Sequence, residues 1–168
     1  RYDKPIRLAA AVLLLFTGCS VKIGPEPVLL PSTAHKPVVR LRGGVFSTAL
    51  HFDGERLHLL AQHNVSAEGL AALRRIFPAR PTRDLPAGRA ILARALVHVP
   101  DSELEPYAGL ARTIGWRSAL IVPMLRDGAP IGVLTVSRAT PGRFSDSEIA
   151  LAKTFPAQAL IALENGRL

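Results

Sequence analysis

Five histidines, His35, His51, His58, His63 and His98, are the first candidates for metal ligation or general-base chemistry in this 168-residue chain. None forms the HExxH pair, in which two imidazoles one helical turn apart hold zinc. His58 and His63, five apart on a stretch that reads as a strand, point to opposite faces. There is no GxxxxGK[ST] loop to cradle phosphates, no GxSxG nucleophile elbow and no GxGxxG dinucleotide turn. An iron porphyrin on His98 would rest on one isolated imidazole. The single cysteine, Cys19, forbids an intrachain disulfide and a multi-cysteine zinc site. These residues predict neither a catalytic cluster nor a metal centre, and they specify no cofactor.

Apolar residues make up 48% of the chain and charged residues 20%, a mix that suits a globular core and argues against wholesale disorder. At this length roughly 70% of the unfolded chain's surface is hidden on folding, enough for one compact domain with an appendage. The formal charge of +8 is unevenly placed: residues 1–44 hold seven Lys/Arg and two acids, residues 45–168 fourteen and eleven. The cations of the second part are scattered singly among acids and form no stripe along which a phosphate backbone could run, so nucleic acid is not an expected partner.

The first 44 residues differ in kind from the rest. Arg1, Lys4 and Arg7 precede an apolar run from Leu8 to Phe16, nine residues against the ~20 needed to span a bilayer. A cationic head and apolar stretch followed by Thr17-Gly18-Cys19 fit a secretory signal. Phe16-Thr17-Gly18-Cys19 resembles the bacterial lipoprotein box, which implies acylation at Cys19, although Phe16 stands where that box usually has Leu. A chance apolar run, in a sequence joined or frame-shifted onto a truncated gene, is the competing reading. Residues 20–44 carry Pro25, Pro27, Pro31 and Pro37 with no sustained period and read as an extended linker.

From Val45 onward the elements become orderly. Val45–Phe52, a turn at Asp53-Gly54 and the alternating Leu57, Leu59 and Ala61 predict a β-hairpin with one inward face. Ser66 caps a helix presenting Leu70, Leu73 and Phe77, and Pro78 stops it. After a loop over 78–86, a short helix over 87–96 turns Ile91 and Ala95 inward, with Leu92 beside them. Val97-His98-Val99 is a brief strand, and Tyr107–Ile114 a helix closed by Gly115. Ser118–Leu125 and Ile131–Arg138 predict a second hairpin, apolar enough to be central and covered on both sides, with Gly132 allowing a close approach or a bulge. Ser145 and Glu148 form a capping box flanked by a Phe144/Ile149 staple. Ile149, Ala152, Phe155, Ala159 and Leu163, with Leu160 alongside, trace one side of a terminal helix that Pro156 must kink. Two hairpins, a helical excursion and a last helix make an α+β domain with an antiparallel sheet.

The run GVFSTALHFDGERLHLLAQHNVS resembles the opening hairpin of GAF domains from bacterial sensor proteins. GWRSALIVPMLRDGAPIGVLTVSR and FSDSEIALAKTFPAQALIALENGRL resemble that family's closing hairpin and exit helix, and GRAILARALVHVPD its middle helix and strand. The resemblance covers residues 45–168. It implies a GAF-like, profilin-like and PAS-related sheet flanked by helices, with a long C-terminal helix, and it implies a sensory module. Such domains bind a small molecule or cyclic nucleotide between sheet and helices and relay its presence to an output domain, a histidine kinase or cyclase in relatives. The corresponding wall runs from Ala87 to Ser118, which makes His98, Asp101, Tyr107, Trp116, Arg117 and Ser118 the candidate ligand-binding residues.

Structural roles would also account for these residues: His98 as an outward strand residue, Asp101 as a turn cap, Arg117 in an ion pair, and Tyr107 and Trp116 as core. One branch of the family reduces methionine sulfoxide through pocket cysteines, and another attaches bilins to cysteine; Cys19 lies outside the matching region. Relatives usually open on a long helix that pairs with the exit helix as a dimer seam, where this chain has its proline-rich stretch. The resemblance thus implies a noncatalytic, cytoplasmic sensor that self-associates through its C-terminal helix. The alternative is an interaction module with a degenerate pocket, soluble or lipid-anchored at Cys19.

Overall fold

The computed structural model describes residues 45–157. Cys19, the lipidation site of the alternative reading, the linker over 20–44 and the inward positions Ala159, Leu160 and Leu163 lie outside those residues. Strands β1 (Val45–Phe52), β2 (Leu57–His63), β3 (Val97–Val99), β4 (Ser118–Arg126) and β5 (Ala129–Arg138) form one antiparallel sheet in the order β2-β1-β5-β4-β3. Helices α1 (Ala67–Ile76), α2 (Pro86–Ala93) and α3 (Ala108–Ile114) follow β2 and precede β4, and α4 (Asp146–Ala152) follows β5. The architecture is the expected α+β antiparallel sheet flanked by helices.

Alternation divides the sheet's side chains between two cores. Leu50, Ile121 and Val133 join Leu73, Ile91, Tyr107 and Ile114 on the face of α1 to α3. Ala49, Leu120, Val122 and Leu134 join Phe144, Ala152 and Phe155 on the face of α4. Coverage on both sides is why β4 reads as an unbroken apolar run, buried from Ser118 to Met124.

Several local expectations are corrected. The first hairpin is joined by four residues, closed by the Asp53 N–H donating to the Arg56 carbonyl and by the Asp53 carboxylate accepting from the Glu55 and Arg56 N–H groups. A bulge then shifts the β1/β2 register between Ala49 and Leu50. Leu57 and Leu59 therefore face the first core, while Leu60 and Ala61 reach the second. Helix α2 ends at Ala93 because Arg94 is left-handed at φ 52°. Its inward stripe is Ala87, Ala90 and Ile91, so Ala95 is exposed and Leu92 stands 55% exposed. The second hairpin turns over Asp127 and Gly128 alone, both at positive φ, tighter than the expected five-residue connection. Gly132 does allow a close approach, since a Cβ there would overlap the Leu50 carbonyl oxygen, and a register shift lies beside it.

The capping box forms: Ser145 Oγ accepts from the Glu148 N–H, and the Glu148 carboxylate accepts from the Ser145 N–H at 2.7 Å. Helix α4 stops at Ala152, four residues before Pro156. That is the residue whose carbonyl the proline ring would strike and whose helical hydrogen bond the missing N–H cannot supply.

Candidate functional site

A cavity of about 80 Å³ lies between the sheet and the helices of the first face. Its floor comes from alternate residues of two paired strands: Phe46, Thr48 and Leu50 of β1, and Thr135 and Ser137 of β5. Ser47 also borders it, but alternation turns that side chain to the opposite face with Ala49. The roof is built by three short helices. Ser66 Oγ accepts from the Gly69 N–H and starts α1, which brings Leu73 and Ile76 to the cavity, with Phe77 following. Pro86 at the first position of α2 sets the backbone for helix entry, and Leu85, Pro86 and Ala87 form the second part of the roof. Tyr107, Leu110 and Ile114 of the α3 region, with Trp116, complete it.

Tyr107 and Trp116 are thus brought together, their ring centroids 5.7 Å apart. A residue not marked in advance holds Tyr107: Arg89 Nη2 donates to its hydroxyl at 3.0 Å and to Glu105 at 2.9 Å. Burial above all, with the Glu105 charge beside it, pushes the Tyr107 phenol above its ordinary range, so it stays neutral.

Asp101, Arg117, Ser118 and His98 stand apart from this cavity. Asp101 caps the 3₁₀ turn Ser102–Leu104, accepting from the Glu103 N–H, and takes a bidentate pair from Arg117 at 3.0 and 3.1 Å. The Glu103 N–H first, and then Arg117, hold its carboxyl below the usual carboxylate range. Ser118 Oγ donates to the Thr140 carbonyl at 2.8 Å.

His98 belongs to the edge toward α4. Its Nε2 accepts from the Phe144 N–H at 3.2 Å, and its ring meets the Phe144 ring edge-on. The Arg138 guanidinium lies 3.6 Å from the Phe144 ring centroid and reaches Glu148 and the Arg143 carbonyl. Burial, followed by the charges of Arg143 and Arg138, lowers the His98 pKa, which suits a neutral imidazole accepting a hydrogen bond.

The resemblance pointed to a wall confined to residues 87–118. The floor strands and α1 were missed, although the signal was present: Thr48, Thr135 and Ser137 are hydroxyl residues at inward alternating positions of otherwise apolar strands. Among the described residues no group of three or more His, Cys, Asp or Glu is placed to hold a metal ion. No described helix is long and apolar enough to cross a membrane.

A five-stranded antiparallel sheet with a helix-roofed cavity on one face and a capped terminal helix on the other defines an α+β cavity domain. The chain belongs to the GAF domain family, whose model matches residues 33–164. None of the curated proteins compared with the chain matches it. Among solved structures it is similar to free methionine-R-sulfoxide reductase from Neisseria meningitidis, with 18% identity, a TM-score of 0.64 and coverage of 99% of this chain and 81% of that one. It is also similar to the GAF domain/HD domain protein from Geobacter sulfurreducens, with 19% identity, a TM-score of 0.59 and coverage of 73% and 81%. A domain of a protein described as a two-component sensor histidine kinase, from Sinorhizobium meliloti 1021, gives 18%, 0.58, 76% and 82%. At these identities the likeness is one of fold.

Proposed function

We propose that this chain is a noncatalytic sensory module of bacterial signal transduction. A small molecule occupies the cavity between the sheet and α1 to α3, and the chain following β5 carries its effect outward. The observation behind this reading is the cavity itself, an apolar space roofed by three short helices in a member of the GAF family. Short helices held by a few caps and contacts can shift when a guest enters, and a guest that prefers one arrangement moves the population toward it. Self-association through the C-terminal helix and action beside an output domain go with this reading, as does a cytoplasmic location. One similar structure belongs to a GAF domain/HD domain protein and another to a protein described as a sensor kinase.

Binding without turnover is supported by the cavity's chemistry. Among the described lining residues none carries a thiol, an imidazole or a carboxylate, and the chain's one cysteine is Cys19. A reductase acting on a sulfoxide needs a group to supply electrons, and hydroxyl, phenol and indole side chains do not.

Native mass spectrometry of the purified full chain tests the proposal. A co-purifying small molecule is the expected result; a clean apo mass across several extracts would overturn it in favour of an interaction module with an empty pocket. Turnover of free methionine sulfoxide by the same preparation would overturn the noncatalytic part.

A further inference from the structure

The cavity's lining also bears on what kind of guest it takes. We propose that it selects a small, uncharged, branched aliphatic molecule carrying one hydroxyl or carbonyl group, an inference that rests on reading the cavity as the sensing site.

Three observations carry this. First, no Arg, Lys, His, Asp or Glu is among the described residues that line the cavity. Arg89, which holds Tyr107, is not among the lining residues and gives its Nη2 to Glu105 and to the Tyr107 hydroxyl. A phosphate or carboxylate entering such a space would lose its hydration with no counter-charge to replace it. Second, the floor carries three hydroxyls in register across β1 and β5: Thr48 is paired with Thr135, and Ser137 with Phe46. Ser137 is only 4% exposed. A guest with one polar atom would give these hydroxyls a hydrogen-bond partner. Third, the rest of the lining is aliphatic or aromatic, and the volume of about 80 Å³ is roughly half that of an apolar cavity that admits benzene. A branched alkyl body of about three carbons fits; a longer chain, an aromatic ring or a nucleotide does not.

Polar groups at the floor and apolar groups at the roof also fix the guest's orientation. Its oxygen lies on the β1/β5 hydroxyls and its alkyl end meets Leu73, Leu110 and Trp116 on the helices. The sheet side would then read polarity and the helix side would read size.

Trp116 is the chain's one tryptophan and lines the cavity, so its fluorescence reports occupancy directly. Titrating the full chain at pH 7.5 with three probes of similar small size, 2-propanol, propane and acetate, separates the possibilities. The alcohol is expected to change Trp116 emission saturably, the alkane to bind about fivefold more weakly for want of one hydrogen bond, and the carboxylate at least tenfold more weakly than the alcohol. Ser137→Ala should bring alcohol and alkane to within about twofold of each other. Thr135→Val, nearly isosteric, carries the same test should the first variant not fold. Equal or tighter binding of acetate, or saturable binding of cyclic GMP, would overturn the proposed class while leaving the sensing reading intact. No response of Trp116 to any of these probes would overturn the class, while a co-purifying mass in the experiment above would show that the sensing reading survives on a different guest.

Discussion

The two faces of the sheet are packed by opposite strategies. On one, three short helices arch over the strands and leave a cavity; on the other, α4 is pinned by a capping box, by His98 accepting from the Phe144 N–H and by Arg138 spanning Phe144 and Glu148. Both faces bury similar aliphatic strands, so hydrophobic burial alone does not distinguish them. The difference lies in what fixes the helices. Directional polar contacts tie α4 to β3 and β5 and leave it one arrangement, whereas α1 and α3 meet the sheet across a space that can be filled. In the proposed reading the loose face senses and the tight face transmits.

The largest test of this contrast is volume loss. Leu120→Ala, at a position 1% exposed on the α4 face, should cost about 3 kcal/mol in urea unfolding because a cavity opens in a filled core. Leu110→Ala, beside the existing cavity, should cost about 1 kcal/mol, since Leu110 is only partly buried and already borders empty space. Equal losses would break the distinction.

Volume gain sharpens it. Ala152 on α4 and Ala87 on α2 are both helical and buried, at 3% and 7% exposure, so a change to Val carries the same helix-propensity cost at each. Ala152→Val should destabilise by about 2 kcal/mol through overpacking. Ala87→Val, which points at the cavity, should lose under about 1 kcal/mol and weaken any guest's binding. Denaturation midpoints of the two variants make the comparison.

Next in size is the cap. Ser145→Ala removes the acceptor for the Glu148 N–H and should cost about 1 kcal/mol, with amide exchange rising in α4 and unchanged in α1. An equal rise in both helices would mean that the pins of the α4 face are not local.

The smallest effect is a pH slope. Because burial and then Arg143 and Arg138 depress the His98 pKa in the folded state, the unfolded chain binds the proton more readily. Stability should be full above the ordinary histidine value of 6.5 and fall as pH drops below it toward the lowered folded value. His98→Gln, whose side-chain oxygen can accept from the Phe144 N–H, should flatten that slope; a slope unchanged by the substitution would assign it to other groups.

Part of this arrangement was legible in the residues. Ser66, Gly115 and the Ser145/Glu148 box each specify a helix end through contacts a few residues apart, and each forms as expected. The cavity was only half legible. Tyr107 and Trp116 were marked and do line it, while Asp101, Arg117, Ser118 and His98 satisfy one another or nearby backbone. Polar residue type alone does not say which polar groups the fold has already satisfied.

What this sequence determined by itself was local chemistry and period: caps, alternation, the breaker at Pro156 and the apolar run that makes β4 central. Those are set by neighbours within a helical turn or along one strand. Only the tertiary structure decided the face on which Ala61 falls, the early end of α2 at Arg94 and the meeting of Thr48, Thr135 and Ser137 beneath Trp116. The first depends on a one-residue bulge between paired strands, the second on a residue held left-handed, and the third on the pairing of β1 with β5, strands far apart in the chain.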